Sequence, residues 1–505
     1  MLIGLDVGTS GVKVVVFDER GHLLSRSYRA YYSSPPAGDG RRELDPNNIW
    51  DCTKDALFQA VSRLERKPDS CSLSVSSFGE AFIPVDDSGN ALTKVMLLTD
   101  GRGTVEFDRA LMGLSAERIA QTCGLKPHPS YSVAKLLYLK ANYPVIYNKA
   151  KHLLLIEDYI YFKLGGIAYT DYSLAARTML FDVNSKEWCP EFLEYFGIEA
   201  PKLSRPVASG TVIGEVFPGI TAKLGLPAKT IIVSGGHDQP CSALGAAVSR
   251  NTVVCSMGTS ECLTPILSTP LSTEKVLAYG FANEPFLSTD LYCTLAYNTT
   301  AGSLIKWFYR AFAKDLAETP DSSYDIIERE APESPTNLFV LPYLMATGTP
   351  LLDSKARLSI MGVDEKTTRG DIYKACLEGL CFDQRLNLEL LGDNCECDAI
   401  VAVGGGSHSQ LWLQTKADVL QKPIITLECD EAGALGCAIL SATALGLYPD
   451  VFTAAKSMVR IKKITYPNLK FRNQYEDMFR VYKHLHHDCE RVNNFVAGKL
   501  LESKG

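Results

Sequence analysis

The chain has 505 residues, of which 46% are hydrophobic and 22% are charged, and its formal net charge is −7. This length exceeds the size at which a single hydrophobic core keeps growing, so we expect two large domains. The modest negative charge argues against nucleic acids and anionic membranes as partners, because both need a basic surface. The sequence opens without a signal-peptide pattern and holds no apolar run that could span a bilayer, so we expect a cytoplasmic protein.

Several strand-like runs open the chain, each of them apolar, β-branched or alternating, with glycine-containing turns between them. We predict strands at residues 2–5, 12–18, 23–31 and 71–76. Asp45 and Pro46 indicate the start of a helix between the third and fourth of these strands. Helical and strand segments alternate further along the chain. This order is typical of an α/β protein with a mixed sheet flanked by helices.

A motif in the first turn occurs again about half a chain later. DVGTS at residues 6–10 follows the first strand, and SMGTS at residues 256–260 follows another strand-like run. Two similar turns at this separation indicate two related halves, although Gly-Thr-Ser is also ordinary turn chemistry, which leaves the two explanations evenly balanced. A segment of small residues near 238–250 suggests a boundary between the halves. We predict domains at residues 1–245 and 246–505, the second ending in a helical appendage.

The first turn has the residue types that phosphoryl transfer requires. Gly8 allows a close backbone approach, Thr9 and Ser10 supply donors, and Lys13 could reach a phosphate. Asp6 at the strand end could hold a hydrated Mg²⁺. The GxxxxGK[ST] pattern of a Walker loop is absent here. An ordinary hairpin with a surface lysine is the alternative, and locally the motif favours function only slightly.

A second glycine-rich turn lies in the second half of the chain. Gly404, Gly405 and Gly406 follow the apolar run 399–403 and precede a helical pattern. A nucleotide can lie against bare backbone and a helix N-terminus in this strand–glycine–helix context. The alternative is a tight turn capped by Ser407, and the three consecutive glycines favour ligand contact.

Several charged residues follow strand-like runs. Asp238 comes after a buried run, at the end of a strand where α/β folds bind ligands, but it could equally be the N-cap of the next helix. Glu80 and Asp100 also follow strands, and Arg102 lies beside the second of them. Such groups can hydrogen-bond sugar hydroxyls, although a solvated loop charge is the default for each. His237 is interpreted as structural.

Taken together, these motifs resemble the FGGY family of carbohydrate kinases, from Leu2 to about Leu447 and in the same order. The matching segments are GLDVGTSGVK at 4–13, DPNNIW at 45–50, SYSVAKLLYL at 130–139, IEDYI at 156–160, KLGG at 163–166, GGHDQ at 235–239, MGTS at 257–260, EG at 378–379, GGGS at 404–407 and QTKADVL at 414–420. Tyr138 stands where this family usually has tryptophan.

The resemblance implies an α/β fold of two actin-like ATPase (ribonuclease H-like) domains around a cleft, related by duplication, with ATP and Mg²⁺ as cofactors. It implies Asp238 as the general base and both Asp6 and Asp238 at the metal. It implies an ATP site that contains Gly8, Thr9, Ser10, Lys13, Gly258, Thr259, Ser260, Gly302, Lys306, Gly404, Gly405, Gly406 and Ser409. It implies a substrate site that contains Glu80, Asp100, Arg102, Tyr131, Asp158, Asp238 and Gln239.

The substrate stays open, because the xylulokinase-like SGQxHG motif is absent and Gly79 stands where glycerol kinase has arginine. We predict phosphorylation of a hydroxyl of a small sugar, either a ketose or a sugar acid. A polyol such as glycerol or erythritol is the alternative acceptor. An actin- or Hsp70-like ATP-dependent switch is an alternative from another class. It is disfavoured because a switch needs no polar sugar pocket, which is what Glu80, Asp100, Arg102, Asp158, Asp238 and Gln239 suggest. The resemblance also suggests a homodimer.

Overall fold

The computed structural model describes residues 1–31, 41–66, 69–287, 290–316, 320–344 and 346–502. The strands are β1 (Leu2–Val7), β2 (Gly11–Phe17), β3 (Leu23–Ala30), β4 (Glu43–Leu44), β5 (Ser70–Ser77), β6 (Ile83–Val85), β7 (Val95–Met96), β8 (His152–Leu154), β9 (Tyr169–Asp171), β10 (Phe181–Asp182), β11 (Glu187–Trp188), β12 (Arg205–Val207), β13 (Val212–Glu215), β14 (Lys229–His237), β15 (Thr252–Met257), β16 (Glu261–Leu267), β17 (Glu284–Pro285), β18 (Tyr292–Cys293), β19 (Ala296–Asn298), β20 (Phe339–Leu341), β21 (Ser359–Met361), β22 (Ala399–Val403), β23 (Ile424–Leu427) and β24 (Ile461–Thr465).

The helices are α1 (Pro46–Ser62), α2 (Thr104–Leu111), α3 (Ala116–Cys123), α4 (Ser132–Asn142), α5 (Pro144–Lys149), α6 (Ile156–Gly165), α7 (Tyr172–Ala176), α8 (Pro190–Phe196), α9 (Pro218–Leu224), α10 (Asp238–Gly245), α11 (Thr273–Tyr279), α12 (Gly302–Phe312), α13 (Pro320–Glu330), α14 (Arg369–Leu391), α15 (Gln410–Leu420), α16 (Ala432–Ala444), α17 (Val451–Met458), α18 (Arg472–Asp488) and α19 (Glu490–Glu502). The predicted helix start is confirmed, because Asp45 accepts a hydrogen bond from the Asn47 amide as N-cap and Pro46 occupies the first turn of α1.

The first sheet has the strand order β13-β14-β5-β1-β2-β3. β1 runs antiparallel to β2 and parallel to β5, β14 runs parallel to β5, and β13 runs antiparallel to β14. β1 and β2 are apolar along most of their length and largely buried, because α16 packs against both strands and α1 against β2. The four strands predicted from sequence are therefore confirmed as β1, β2, β3 and β5.

The second sheet repeats this arrangement. Its strand order is β17-β18-β16-β15-β22-β23-β24, with β19 also paired to β16. β15 runs antiparallel to β16 and parallel to β22, β23 runs parallel to β22, and β24 runs antiparallel to β23. In order and direction, β15, β16, β22, β23 and β24 thus correspond to β1, β2, β5, β14 and β13. The duplication indicated by the two Gly-Thr-Ser turns is confirmed, and both turns join the first two strands of their sheets.

The two halves meet where α10 and α16 cross, and the crossing requires glycine. A Cβ atom on Gly245 of α10 would lie 1.8 Å from the carbonyl oxygen of Ala432, and one on Gly436 of α16 would lie 2.0 Å from that of Cys241. α16 also packs on β1, where a Cβ on Gly4 would lie 2.0 Å from the Ala434 carbonyl oxygen. Close backbone contact therefore holds α10, α16 and β1 together.

The last helices pack against the second half. The Tyr475 hydroxyl of α18 donates to Glu378 Oε1 at 2.9 Å, and the Tyr482 hydroxyl donates to Asp383 Oδ1 at 2.6 Å. Both carboxylates lie on α14 and are buried, so each needs such a donor. Of the helices that the structure describes, none is long and apolar enough to cross a bilayer.

Candidate active site

The first glycine turn lies at the edge of the first sheet, between β1 and β2. The Gly8 amide donates to the Gly11 carbonyl at 3.0 Å, which closes the turn and leaves Thr9 and Ser10 exposed. Asp6 lies next to this turn near the end of β1. Burial and the nearby charge of Asp238 raise the pKa of Asp6 to about 6. The two carboxylates therefore face a common region.

Lys13 lies on β2 beside the same turn, and its ammonium group is paired across the junction. Its Nζ lies 2.8 Å from Glu431 Oε2, in the residue that precedes α16. Glu431 also lies 3.7 Å from an Arg26 guanidinium nitrogen. In this conformation, a phosphate at the first turn would compete with Glu431 for the Lys13 ammonium group.

The second Gly-Thr-Ser turn lies at the corresponding place, between β15 and β16. The Gly258 amide donates to the Ser260 carbonyl at 2.9 Å, and Thr259 and Ser260 are exposed. Gly302 begins α12 against this turn, with its amide 3.0 Å from the Gly258 carbonyl oxygen. A Cβ on Gly302 would lie 2.6 Å from that oxygen, so only glycine fits. Lys306 is exposed on the next turn of α12.

The third glycine turn lies beside the second. Gly404 has a φ of +87°, and a Cβ there would lie 3.0 Å from the Met257 carbonyl oxygen, so this glycine lets the turn approach β15. Gly405 is exposed, and a Cβ on it would meet nothing within 4 Å. The N-cap of α15 is Ser409, whose hydroxyl accepts from the Trp412 amide at 3.1 Å, while the Ser407 hydroxyl donates to the Gly404 carbonyl. The alternative prediction, in which Ser407 caps the helix, is therefore wrong, because a short 3₁₀ turn precedes α15.

Asp238 is the first residue of α10 and lies close to these turns. The next residue, Gln239, accepts a hydrogen bond from the Ser256 hydroxyl of β15 at 2.9 Å, which ties the start of α10 to the second sheet. The Asp238 side chain is 30% exposed. Burial and the charges of Glu80 and Glu284 raise the pKa of Asp238, and the neighbouring His237 opposes this rise. The structure thus brings Asp6, Asp238 and the end of β15 together.

His237 contacts two carboxylates at once. Its Nδ1 lies 2.8 Å from Glu284 Oε1, and its Nε2 lies 3.3 Å from Asp238 Oδ1. Burial lowers the pKa of His237, but the charges of Glu284 and Asp238 outweigh burial and raise it to about 9. The imidazole is therefore protonated at neutral pH, with Nδ1 hydrogen-bonded to Glu284 and Nε2 at ion-pair distance from Asp238. Sequence reasoning left His237 out of the site.

Glu80 lies on the other side of the same group, bound by an arginine that the sequence did not point to. Arg177, the residue after α7, donates from Nε to Glu80 Oε1 at 2.6 Å and lies 3.6 Å from Glu284 Oε2. Its guanidinium stacks over the ring of Tyr131, 5.2 Å from the centroid. Glu80 has a φ of +59°, a strained conformation that is typical of functional sites. The structure therefore brings Glu80, Tyr131 and Asp238 together around Arg177 and Glu284.

Gly79 leaves room for this arginine. A Cβ on Gly79 would lie 3.2 Å from Cγ and 3.3 Å from Cβ of Arg177. In the resemblance to glycerol kinase, Gly79 stands where that kinase has arginine. The aliphatic part of an arginine from another element packs beside that position, and no local signal near Gly79 could have indicated it.

Asp100 and Arg102 form a pair of their own. Arg102 donates from Nη2 to Asp100 Oδ2 at 2.7 Å and also lies 2.6 Å from Glu43 on β4. Asp100 accepts from the Arg42 amide at 2.9 Å. Burial raises the pKa of Asp100, but the hydrogen bonds from Arg102 and from the Arg42 amide outweigh it and lower that pKa. These contacts hold the loop after β7 against β4, and a role in substrate binding stays a prediction.

Asp158 is fully buried in α6, where its Oδ2 accepts from the Leu155 amide at 3.0 Å. It lines a small internal cavity with apolar neighbours such as Phe82 and Leu136. Burial raises the pKa of Asp158 to about 7. The described geometry accounts for Asp158 as a helix cap, and its predicted contact with substrate stays a prediction.

The replacement Asp158→Asn separates these two roles. The folded-state pKa is raised above the unfolded value, so the folded wild type holds the proton more tightly and loses stability as pH rises from about 4 to about 7. The variant lacks this loss. We therefore expect its free energy of unfolding to rise relative to that of wild type by about 1.4 kcal/mol per pH unit in that interval. Denaturant unfolding at several pH values measures the difference. If the difference in free energy of unfolding between the two proteins did not change with pH, the raised pKa of Asp158 would be wrong. A raised KM for the sugar in the variant would favour substrate contact.

The carboxylates fit a hydrated magnesium ion. Asp6 and Asp238 would supply the oxygen ligands, and a cation there would offset the burial and the charge of Asp238 that raise the pKa of Asp6. Mg²⁺ usually binds through one or two carboxylates and substrate phosphates and keeps several waters. Within the part of the chain that the structure describes, no cluster of three or more His, Cys, Asp or Glu side chains could hold a metal. A site completed by phosphate and water is consistent with both facts.

The geometry defines a class: two duplicated α/β domains, each with a glycine turn between its first two strands, and a group of carboxylates close to their junction. The sequence matches the N-terminal domain of the FGGY family of carbohydrate kinases at residues 1–245 and the C-terminal domain of that family at residues 253–445. The chain therefore belongs to the FGGY family of carbohydrate kinases. It is a sugar kinase, a phosphotransferase that uses ATP, which excludes the actin- or Hsp70-like switch.

Its relatives act on several sugars. Xylulose kinase from Bacillus subtilis strain 168 is 27% identical over 97% of this chain and 98% of the relative. Gluconokinase from Bacillus licheniformis is 25% identical over 100% and 99%, and L-fuculokinase from Escherichia coli K12 is 28% identical over 87% and 91%. The solved structure of ligand-bound xylulose kinase from Lactobacillus acidophilus superimposes with a TM-score of 0.87 at 26% identity, covering 97% of this chain and 98% of that one.

Proposed function

We propose that this chain transfers the γ-phosphate of ATP to a hydroxyl of a neutral ketose, with Asp238 as the general base. The observation that carries the proposal is the position of Asp238 at the start of α10. Its carboxylate lies against His237, near Asp6 of the first sheet, and its neighbour Gln239 binds Ser256 of the second. A base must lie within hydrogen-bond reach of the hydroxyl that it deprotonates, and this position can serve both substrates.

Each step of the phosphoryl transfer can be assigned to these residues. Asp238 takes the proton of the substrate hydroxyl, the hydroxyl oxygen forms a bond to the γ-phosphorus, and the bond from that phosphorus to the β-phosphate oxygen breaks. ADP leaves with the electron pair of the broken bond. Donors of Thr9 and Ser10 and of Thr259 and Ser260 bind phosphate oxygens in this proposal. Asp6 and Asp238 would hold Mg²⁺, whose positive charge would offset that of the phosphates.

The nucleotide lies mainly against the second half in this proposal. Three features support it: the Gly302 contact with Gly258, the exposed Lys306, and the bare backbone of Gly405. Ser409 would border adenosine, and its hydroxyl donates to Glu328 at 2.5 Å. Lys13 joins the phosphates when the nucleotide displaces its pairing with Glu431.

The charges around Asp238 favour a neutral substrate over a sugar acid. The cations Arg177 and His237 are each engaged by carboxylates, Glu80 and Glu284 for the first and Glu284 and Asp238 for the second. The buried Lys135 donates to the Ser130 carbonyl. A substrate carboxylate would therefore find Arg177 and His237 already paired and would face Glu80 and Asp238, and like charges in close contact cost several kcal/mol.

A panel of acceptors tests the proposal. Coupled ADP release from Mg·ATP is measured with D-xylulose, other pentuloses and hexuloses, L-fuculose, glycerol, erythritol and D-gluconate. We expect the highest kcat/KM with a ketose. With gluconate we expect kcat/KM to be lower by a factor of ~10² or more. A preference for gluconate would overturn the neutral-substrate assignment, and a preference for glycerol or erythritol would replace the ketose with a polyol. If no acceptor raised ADP release above the rate without acceptor, the proposed transfer to these acceptors would be wrong.

A further inference from the structure

Glu284 is a buried carboxylate that the motifs do not include. It begins β17, in the second half of the chain, and its side chain is fully buried. One oxygen, Oε1, lies 2.8 Å from Nδ1 of His237, and the other, Oε2, lies 3.6 Å from Nη1 of Arg177. Both partners come from the first half. Glu284 therefore connects the second half to two cations of the first.

Each of these cations holds one carboxylate of the site. His237 places Nε2 at 3.3 Å from Asp238 Oδ1. Arg177 donates from Nε to Glu80 Oε1 at 2.6 Å. The order of contacts is therefore Asp238, His237, Glu284, Arg177 and Glu80, with Glu284 in the middle. Buried charges of this kind need partners on every side, so a change at the centre is felt at both ends.

We propose that Glu284 is a positioning residue that orients two carboxylates at once, the base Asp238 through His237 and the substrate contact Glu80 through Arg177. This inference rests on the proposed function, because it assigns the two ends of the chain of contacts to proton transfer and to sugar binding. Glu284 touches neither substrate in this account. Its two oxygens act on different kinetic constants, since the His237 arm affects kcat and the Arg177 arm affects KM for the sugar.

The replacement Glu284→Gln keeps the shape of the side chain and removes its charge. We expect kcat/KM to fall by ~10²-fold, the cost of a small misplacement of catalytic groups, divided between a lower kcat and a higher KM for the sugar. A purely structural loss would lower the amount of folded enzyme and leave KM unchanged. Active-site titration with a tight nucleotide analogue, or the folded fraction from unfolding curves, corrects kcat for that loss.

A double-mutant cycle with His237→Gln tests the route. If Glu284 acts on Asp238 through His237, adding Glu284→Gln to His237→Gln lowers kcat no further, while KM for the sugar still rises through Arg177. An undiminished effect on kcat in the His237→Gln background would overturn the proposal, as would a Glu284→Gln variant whose kcat and KM equal those of wild type.

Glu378→Gln is the matched control, because Glu378 is equally buried but is bonded to Thr336 and Tyr475 away from this group. We expect it to lower the unfolding temperature without changing KM for the sugar. A wild-type enzyme without acceptor-dependent ADP release would refute the proposed function itself. The positioning role would instead be refuted if the wild type were active and the effects of Glu284→Gln and His237→Gln on kcat were additive. The two failures are therefore distinguishable.

Discussion

Replacing Asp238 with asparagine is expected to lower kcat by about 10²–10⁴-fold, because general-base catalysis contributes a factor of that size. Asparagine keeps the shape of the side chain and an oxygen that can accept from His237, which lies 3.3 Å away. It cannot take the proton of the hydroxyl. Coupled ADP release with the best acceptor measures kcat, and calorimetric titration with nucleotide and sugar measures whether binding is kept.

The control for this experiment is Asp383→Asn. Asp383 lies on α14 of the second half and is also buried. It accepts from the Tyr343 and Tyr482 hydroxyls at 2.9 and 2.6 Å. We expect the control to keep kcat near the wild-type value, because it lies outside the group around Asp238. If Asp238→Asn retained wild-type turnover, the base would have to be another residue and the proposed mechanism would fail.

The glycine turns were predictable from sequence because their chemistry is local. A strand, a glycine and small hydroxyl residues within five positions are enough to define each turn, and the structure places both Gly-Thr-Ser turns between the first two strands of their sheets. The duplication followed from the same observation. The strand and helix starts near Leu2 and Pro46 were predictable for the same reason, since hydrophobic alternation and an aspartate–proline pair act over a few residues.

The partners of the predicted carboxylates were not predictable from one sequence. Arg177 approaches Glu80 from a position 97 residues away, and Glu284 approaches His237 from 47 residues away. Neither residue lies in a motif, since Arg177 follows the five-residue helix α7 and Glu284 begins the two-residue strand β17. Such contacts exist only once the chain has folded. Sequence reasoning therefore singled out Glu80 and Asp238 but not the charged residues that contact them.

Replacing Gly245 with alanine is expected to destabilise the protein by about 3 kcal/mol or more, at or above the upper end of the usual cost of overpacking. The added Cβ would lie 1.8 Å from the Ala432 carbonyl oxygen, and backbone on both sides of the contact must shift to admit it. Because α10 begins with Asp238 and α16 packs on β1, such a shift moves the base relative to Asp6. We therefore expect kcat to fall in the fraction that still folds.

Gly219→Ala is the matched replacement, because Gly219 also lies in a helix, α9, but a Cβ there would meet nothing within 4 Å. Alanine restricts the unfolded chain, so this control is expected to gain about 0.4–1 kcal/mol. Denaturant unfolding of both variants measures the two changes, and steady-state kinetics measures kcat. Equal stability of the two variants would show that α10 and α16 can separate without loss. The junction would then be a loose contact, and the alignment of Asp238 with Asp6 would have to arise when the substrates bind.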